Sequence, residues 1–481
     1  MKKEQILDMI GEAPEEYVKD AKEYKKRRRI PRAVKWLGGI AAVMAIVLTV
    51  HHTGIPLIVS AKAISTASEP RITARPGNGA SDERFDAWRA ERDARRETAD
   101  AAIPPIAVFA EQASAEIIAG ADSTNRVWSP INAYISLAMT AELAGGEAQA
   151  ELLDLLGAVD TAELRRNVSA VWETVYADNG NEISVLANSL WLDDDLAYDQ
   201  EKMDVLAHDY YASVYQGSLG SERTNKAITN WMKNQTGGLL TDRTGKVTLP
   251  VEDQMLVMAS TIYFQAKWKD EFSAGLNTEG VFHTAEGDVD CTFMNRKLAE
   301  MYYYWAEDFA AVALHMKNGS AMWFILPDEG KTVDDVLTGG DYMNMITGGE
   351  AFPAENKKWM KVNLIVPQFD VSAGIDVKAG LMNLGLSRVF DWTQAEFSDS
   401  LQSTTSPYPV YLAGIHQDTR VQIDEKGVKA ASYIELNFGA GAAAPPDEII
   451  DFVLDRPFVF AVTKSGIDRN IPLFVGTVNK P

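Results

Sequence analysis

Residues 424–448 constrain this chain more than any other stretch, because they describe a strand that ends in an open loop. From Val428 one alternate set reads Val428, Ala430, Ser432, Ile434, Leu436, Phe438, Ala440, small or apolar throughout. The other set, Lys429, Ala431, Tyr433, Glu435, Asn437, is mostly polar. Period-two alternation of this kind marks a half-buried strand. No proline interrupts residues 428–444, so every position can supply an N–H to a ladder. Gly427 precedes the run, and Gly439 to Ala444 is only Gly and Ala before Pro445-Pro446. That tail is the composition of an exposed, protease-accessible loop, not of a tight hairpin. On pattern alone, an edge strand with a surface loop is the simple account.

The rest of the composition narrows the function classes. Of 481 residues, 46% are hydrophobic and 24% charged, so the chain can bury a large core without metal or disulfide staples. The net charge of −22 repels phosphate backbones and argues against nucleic acid as a partner. Cys291 is the lone cysteine, which excludes internal disulfides and cysteine zinc sites and reads as a packed side chain. The six histidines form no HExxH pattern, and no cofactor or metal is implied. There is no GxGxxG after a strand, no GxxxxGK[ST] and no GxSxG. A hydrolase assembled from scattered Ser, His and Asp residues therefore has no motif behind it.

Charge also divides the chain. Residues 1–35 carry eleven Lys or Arg and seven Asp or Glu, including the run Lys25-Lys26-Arg27-Arg28-Arg29. Trp36 to Ala61 then holds no Asp, Glu, Lys or Arg. About 20 apolar residues span a bilayer, so a transmembrane anchor or signal-like helix is expected over 36–58. The cationic flank keeps the N-terminus in the cytoplasm and exports the remainder as a single-pass surface protein of bacterial type. The alternative is a cleaved signal, because Ser60-Ala61-Lys62-Ala63 has small residues at cleavage spacing, and the domain would then be secreted. Residues 59–100 read as a linker with a charged helix, capped by Ser81, and 101–481 as one folded domain.

Within that domain helices are expected at 103–119, 130–143, 147–156, 161–176 and 200–212. Strands are expected at 183–192, 256–265, 312–316, 321–326, 361–369, 420–423, 458–462 and 473–478. The order lacks a regular βαβ alternation, so the class is α+β and not a doubly wound parallel sheet.

Several motifs then carry a family resemblance. Glu425-Lys426-Gly427-Val428-Lys429-Ala430-Ala431-Ser432 resembles the hinge of the serpin reactive-centre loop. Asn125 to Asn132, Ala187 to Trp191, Ile228 to Trp231 with Gln235 to Gly238, and Ile262 to Phe272 are similar to other serpin signatures. So are Val366-Pro367-Gln368-Phe369, Leu384-Gly385-Leu386, Ala395 to Ser398, Arg456-Pro457-Phe458 and Phe474 to Val478, all in family order. The resemblance implies three β-sheets, eight or nine helices, an exposed reactive-centre loop and a metastable native state. It implies no catalysis by the protein itself. A serine protease attacks a bait bond in the loop, and insertion of the loop into a sheet traps the acyl-enzyme.

By family loop length the bait bond falls at Gly441–Ala442, within a window of Phe438, Gly439, Ala440, Ala443 and Ala444. The resemblance maps the gate under the sheet to Ser129, Asn132, Ser260, Gln417 and Trp268. Gln417 stands where the family often has His, with His416 beside it, and Ser260 where it usually has Asn. The bulky Tyr433 and Ile434 depart from the small residues usual in a hinge, so a non-inhibitory binding protein of the same fold is the alternative. The Gly/Ala-rich window favours a small-pocket, elastase-like protease, and the acidic domain favours a cationic one. The protein is expected to be monomeric.

Overall fold

The computed structural model describes residues 61–481, apart from 69–71, 74, 78, 121–122, 179–182, 237–254, 351, 408 and 429–447. The expected cytoplasmic segment 1–35, the anchor 36–58 and the bait window lie outside the described residues. No helix among the described residues is long and apolar enough to cross a membrane.

A compact unit runs from Ser60 to Pro481. Its first half supplies helices Asp82–Ile118, Pro130–Leu143, Gly146–Leu155, Thr161–Val175, Gln200–Asp209 and Glu222–Gln235. Three shorter ones follow at Val333–Gly339, Asp341–Thr347 and Lys378–Asn383, making nine among the described residues. The strands form an eight-stranded sheet, a nine-stranded sheet and a two-stranded ribbon. This is the expected α+β architecture with three sheets.

Two features differ from the sequence reading. The charged helix and the next one are a single helix through Pro104 and Pro105. Interior prolines remove backbone hydrogen bonds, but an apolar stripe at helical spacing (Ala99, Ala102, Ile103, Ile106, Phe109, Ala110, Ala113) is fully buried around them. Phe109 packs edge-on to Tyr134 at 5.7 Å and near Trp128 at 6.3 Å, so tertiary packing overrides propensity. In addition, Lys62–Ser65, within the stretch expected as linker, is a strand antiparallel to Ala212–Gln216 at one edge of the eight-stranded sheet.

The eight-stranded sheet positions the site. From the Lys62–Ser65 edge its order is Ala212–Gln216, Ile183–Leu192, Leu256–Lys267, Gly427–Val428, His416–Asp424 and Phe369–Asp376, with the eighth strand, Ala177–Asp178, pairing with Ile183–Leu192 off this path. One face rests on the main core through Phe264, Ala266, Val421, Ile423 and Val428. On the other face, helix 222–235 sets Ile228 and Met232 against Trp191 and Val257. Residues directly opposite in a ladder share a face, so the core-facing set of strand 256–267 is Leu256, Met258, Ser260, Ile262, Phe264 and Ala266.

Candidate functional site

The site begins where strand 416–424 turns back on itself. Asp424 Oδ1 accepts from the N–H groups of Lys426 (2.8 Å) and Gly427 (3.2 Å), closing a tight turn. Gly427 has φ 149°, a conformation that side chains rarely adopt. A Cβ there would strike the carbonyl oxygen of Ala266 and come within 2.7 Å of the Lys267 Cα. Only glycine lets the backbone enter so close to its neighbour.

Past the turn, Gly427 and Val428 pair on both sides. Val428 lies opposite Ile423 on one strand and Ala266 on the other, and Gly427 opposite Asp424 and Lys267. Both pairings are antiparallel, so strands 256–267 and 416–424 run parallel to each other. No ladder joins those two directly among the described residues. The hinge residues therefore start a new strand at one end of the seam between them.

Trp268 holds this end. It is fully buried, its indole N–H donates to the Asp424 carbonyl at 2.8 Å, and its backbone N–H donates to the Lys426 carbonyl at 3.1 Å. Phe272 N–H donates to the Glu425 carbonyl at 2.8 Å. Glu425 Oε1 accepts from Asn277 Nδ2 (2.6 Å) and Gln368 Nε2 (2.9 Å). Arg296 stacks over Phe272 at 4.6 Å, and burial holds its guanidinium below the usual range. Asn277 and Arg296 are distant in sequence and carry no local motif, and the signature around Gln368 does not name its partner, so only the fold reveals these contacts.

Further down the seam the expected gate divides in two. Gln417 accepts from Ser129 N–H at 2.6 Å and donates to the Ser129 carbonyl at 3.0 Å, tying strand 416–424 to the start of helix 130–143. The Ser129 hydroxyl caps that helix by accepting from Asn132 N–H at 3.4 Å. Asn132 Oδ1 is buried and finds no protein partner among the described residues. Ser260 instead donates to Asn188 Oδ1 at 2.8 Å, within the adjoining strand pair. Trp268, expected in this gate, instead contacts the 424–427 turn and lies outside this cluster, eight residues or about 26 Å along the strand from Ser260. Beside Gln417, a hydrogen bond to Asp418 raises the pKa of His416, against an opposing contribution from burial. Away from the seam, burial first, then Glu279 and Asp290, push the Cys291 thiol up to about 11, which leaves it unreactive at neutral pH.

The described hinge residues, Glu425, Lys426, Gly427 and Val428, are thus brought together with Trp268. Ser129, Asn132 and Gln417 form a second cluster and Ser260 a third. Ala430, Ala431, Ser432 and the bait window, Phe438 to Ala444, lie outside the described residues.

Comparison with known proteins settles the family. The family model described as "Serpin (serine protease inhibitor)" matches residues 106–481. The chain belongs to the serpin family. Among curated serpins it is 27% identical to Serpin-ZX of Arabidopsis thaliana over 383 residues, covering 75% of this chain and 93% of that one. It is 25% identical to the alpha-1-antiproteinase of Callosciurus caniceps, covering 79% and 88%. It is also 25% identical to a protein named "Probable non-inhibitory serpin-Z9" from Oryza sativa subsp. japonica, covering 76% and 83%. Among solved structures, the thermophilic serpin tengpin in its native state superposes with a TM-score of 0.67 at 22% identity, covering 87% of this chain and all of that one. The native stressed conformation of Arabidopsis AtSerpin1 gives 0.65 at 24%, covering 80% and 98%. These likenesses establish the serpin fold. The curated relatives named are from plants and a mammal and lend no support to a bacterial origin.

Proposed function

We propose that this serpin inhibits serine proteases by loop cleavage and strand insertion. The observation that carries the reading is the pairing of Gly427 and Val428 on both sides, which sets a register for everything that follows. On insertion in that register, Ala430 would come opposite Phe264 and Val421, and Ser432 opposite Ile262 and Thr419. The ladder can run on to Phe438 opposite Leu256, the first residue of its strand. A bait bond at Gly441–Ala442 lies three residues past that end (441 − 438 = 3), so cleavage leaves enough strand to fill the seam. Extraction of the acylated protease then competes with deacylation, and insertion must be the faster.

The same register answers the departure at Ile434. An inserting Ile434 meets Ser260 and Gln417, and Ser260 is smaller than the Asn usual in the family. The rewired gate is the space the bulky hinge residue needs. Tyr433 falls on the opposite face. The non-inhibitory alternative draws on these two side chains and on the relative that bears that description.

The window Phe438 to Ala444 favours an elastase-like target with a small primary pocket, and no Lys or Arg lies between 430 and 455 to suit a trypsin-like one. The acidic domain steers a cationic protease toward the loop. The apolar run at 36–58 supports an exported domain, tethered by that run or released after it. Thermal unfolding before and after a single nick in the loop tests the reading. A large rise on nicking is the inhibitory outcome, and an unchanged midpoint supports the non-inhibitory alternative.

A further inference from the structure

The strand that follows the loop, Ile449–Val453, pairs with Lys357–Pro367, which in turn pairs with Gly287–Trp305. Their inward residues Met301, Met360, Val362 and Leu364 are buried. The outward face carries an unusual load. Trp359 lies directly opposite Tyr302, and the rings meet edge to face at 5.0 Å. Both remain exposed, at 43% and 45%, and Ile449 on the same face is 56% exposed. Lys357 Nζ sits 5.7 Å from the Tyr302 ring centroid. Lys361 faces Glu300, and Lys358 pairs with Glu448 at 2.6 Å, so charge near the face is locally balanced. The Trp359 indole N–H and the Tyr302 hydroxyl have no protein partner among the described residues.

We propose that this aromatic face is a second contact surface for the target protease. The inference rests on the inhibitor reading given above. Continuity with the loop identifies the occupant. The first described residue after the loop, Glu448, accepts from Lys361 N–H at 3.0 Å and so enters the sheet at this face. From Ala442 to Ile449 is seven residues, at most about 25 Å of chain. A protease of roughly 220 residues is about 40 Å across. A body of that size, held at the bait bond, would reach Trp359 and Tyr302. An exposed Trp–Tyr pair with free donors is the composition of an interface hot spot. It suits an arginine or apolar side chain stacked on the indole and a backbone carbonyl taking its N–H.

The test uses the full chain, its W359A/Y302A variant and W359F, with one purified cationic elastase. The affinity for the elastase inactivated at its nucleophilic serine reads encounter. The covalent complex with the active enzyme reads trapping. Encounter affinity should fall at least tenfold in the double variant and recover substantially in W359F, with the stoichiometry of trapping unchanged. An affinity within twofold of the parent overturns the proposal, even where trapping is intact. Loss of encounter affinity in the variant, with no covalent complex formed by the parent, upholds the surface and overturns the inhibitor reading instead. Self-association of the parent that the double variant abolishes, with elastase affinity unchanged, assigns the face to a second copy and overturns the proposal.

Discussion

Replacing Ala430 with arginine discriminates insertion from every other use of this loop. A strand inserted in continuation of the Gly427–Val428 register would bring position 430 opposite Phe264 and Val421, which are 4% and 2% exposed on the core face. An arginine inserted at that position finds no carboxylate among those neighbours. An unpaired buried charge costs about 3–5 kcal/mol in cases where a partner has been removed. If even 3 kcal/mol of that enters the barrier to insertion, the step slows about 150-fold, since 1.4 kcal/mol is a factor of ten. Deacylation is untouched, so the acyl-enzyme is released and the loop is consumed as substrate. The assay is the number of serpin molecules cleaved per protease molecule trapped, which should rise from near one to well above ten. The control is Ala431→Glu, one residue on, whose side chain falls on the opposite face near Arg420 and should leave trapping largely intact. Equal behaviour of A430R and A431E, whether both trap or both fail, refutes the register argument.

Three further outcomes follow from the surroundings of the site. Gln417→Ala leaves the Ser129 N–H buried without its partner, while the Ser129 carbonyl keeps the Ala133 N–H at 3.2 Å, and should cost about 1–3 kcal/mol, read as a lower denaturation midpoint. Arg165→Ala strips the bidentate partner, at 2.6 and 2.8 Å, from fully buried Glu142, which keeps the Tyr210 hydroxyl at 3.0 Å and the Lys202 ammonium at 3.8 Å. The expected loss is about 3 kcal/mol, the low end for breaking a buried pair, measured by equilibrium unfolding. The His416 pKa is raised by its hydrogen bond to Asp418, so that pair stabilises the fold below about pH 6.5 and its contribution fades as pH rises through the folded value. The midpoint difference between the parent and His416→Gln should therefore be larger at pH 5.5 than at pH 8.5, and a difference growing with pH contradicts the assignment.

Much of the architecture was legible because its signals are local. Strand 183–192 follows from its apolar run, helix 130–143 from Ser129 and Pro130 at its start, and Gly427 from the need for a backbone without a Cβ. The continuous helix 82–118 was not legible, since Pro104 and Pro105 signal a break that only the packing of Phe109 and its neighbours reverses. The gate shows the limit most clearly. The family resemblance pointed to Ser129, Asn132, Ser260 and Gln417 as the gate, but which of them touch depends on strand pairing far apart in sequence. The pairings of Asn188 with Ser260, and of Asn277 and Gln368 with Glu425, are written in no local pattern, even where a signature contains the residue. The exposed pairing of Tyr302 with Trp359 likewise depends on a register set between strands more than fifty residues apart.

The central claim is that cleavage of the loop traps the protease through strand insertion. Incubation with a cationic elastase, followed by denaturing electrophoresis and mass spectrometry of the released C-terminal peptide, tests it most directly. The account predicts an SDS-stable complex of serpin plus protease and a peptide that begins within residues 439–445. Clean cleavage with no stable complex, or trapping of a trypsin-like enzyme with a peptide starting elsewhere, would contradict it.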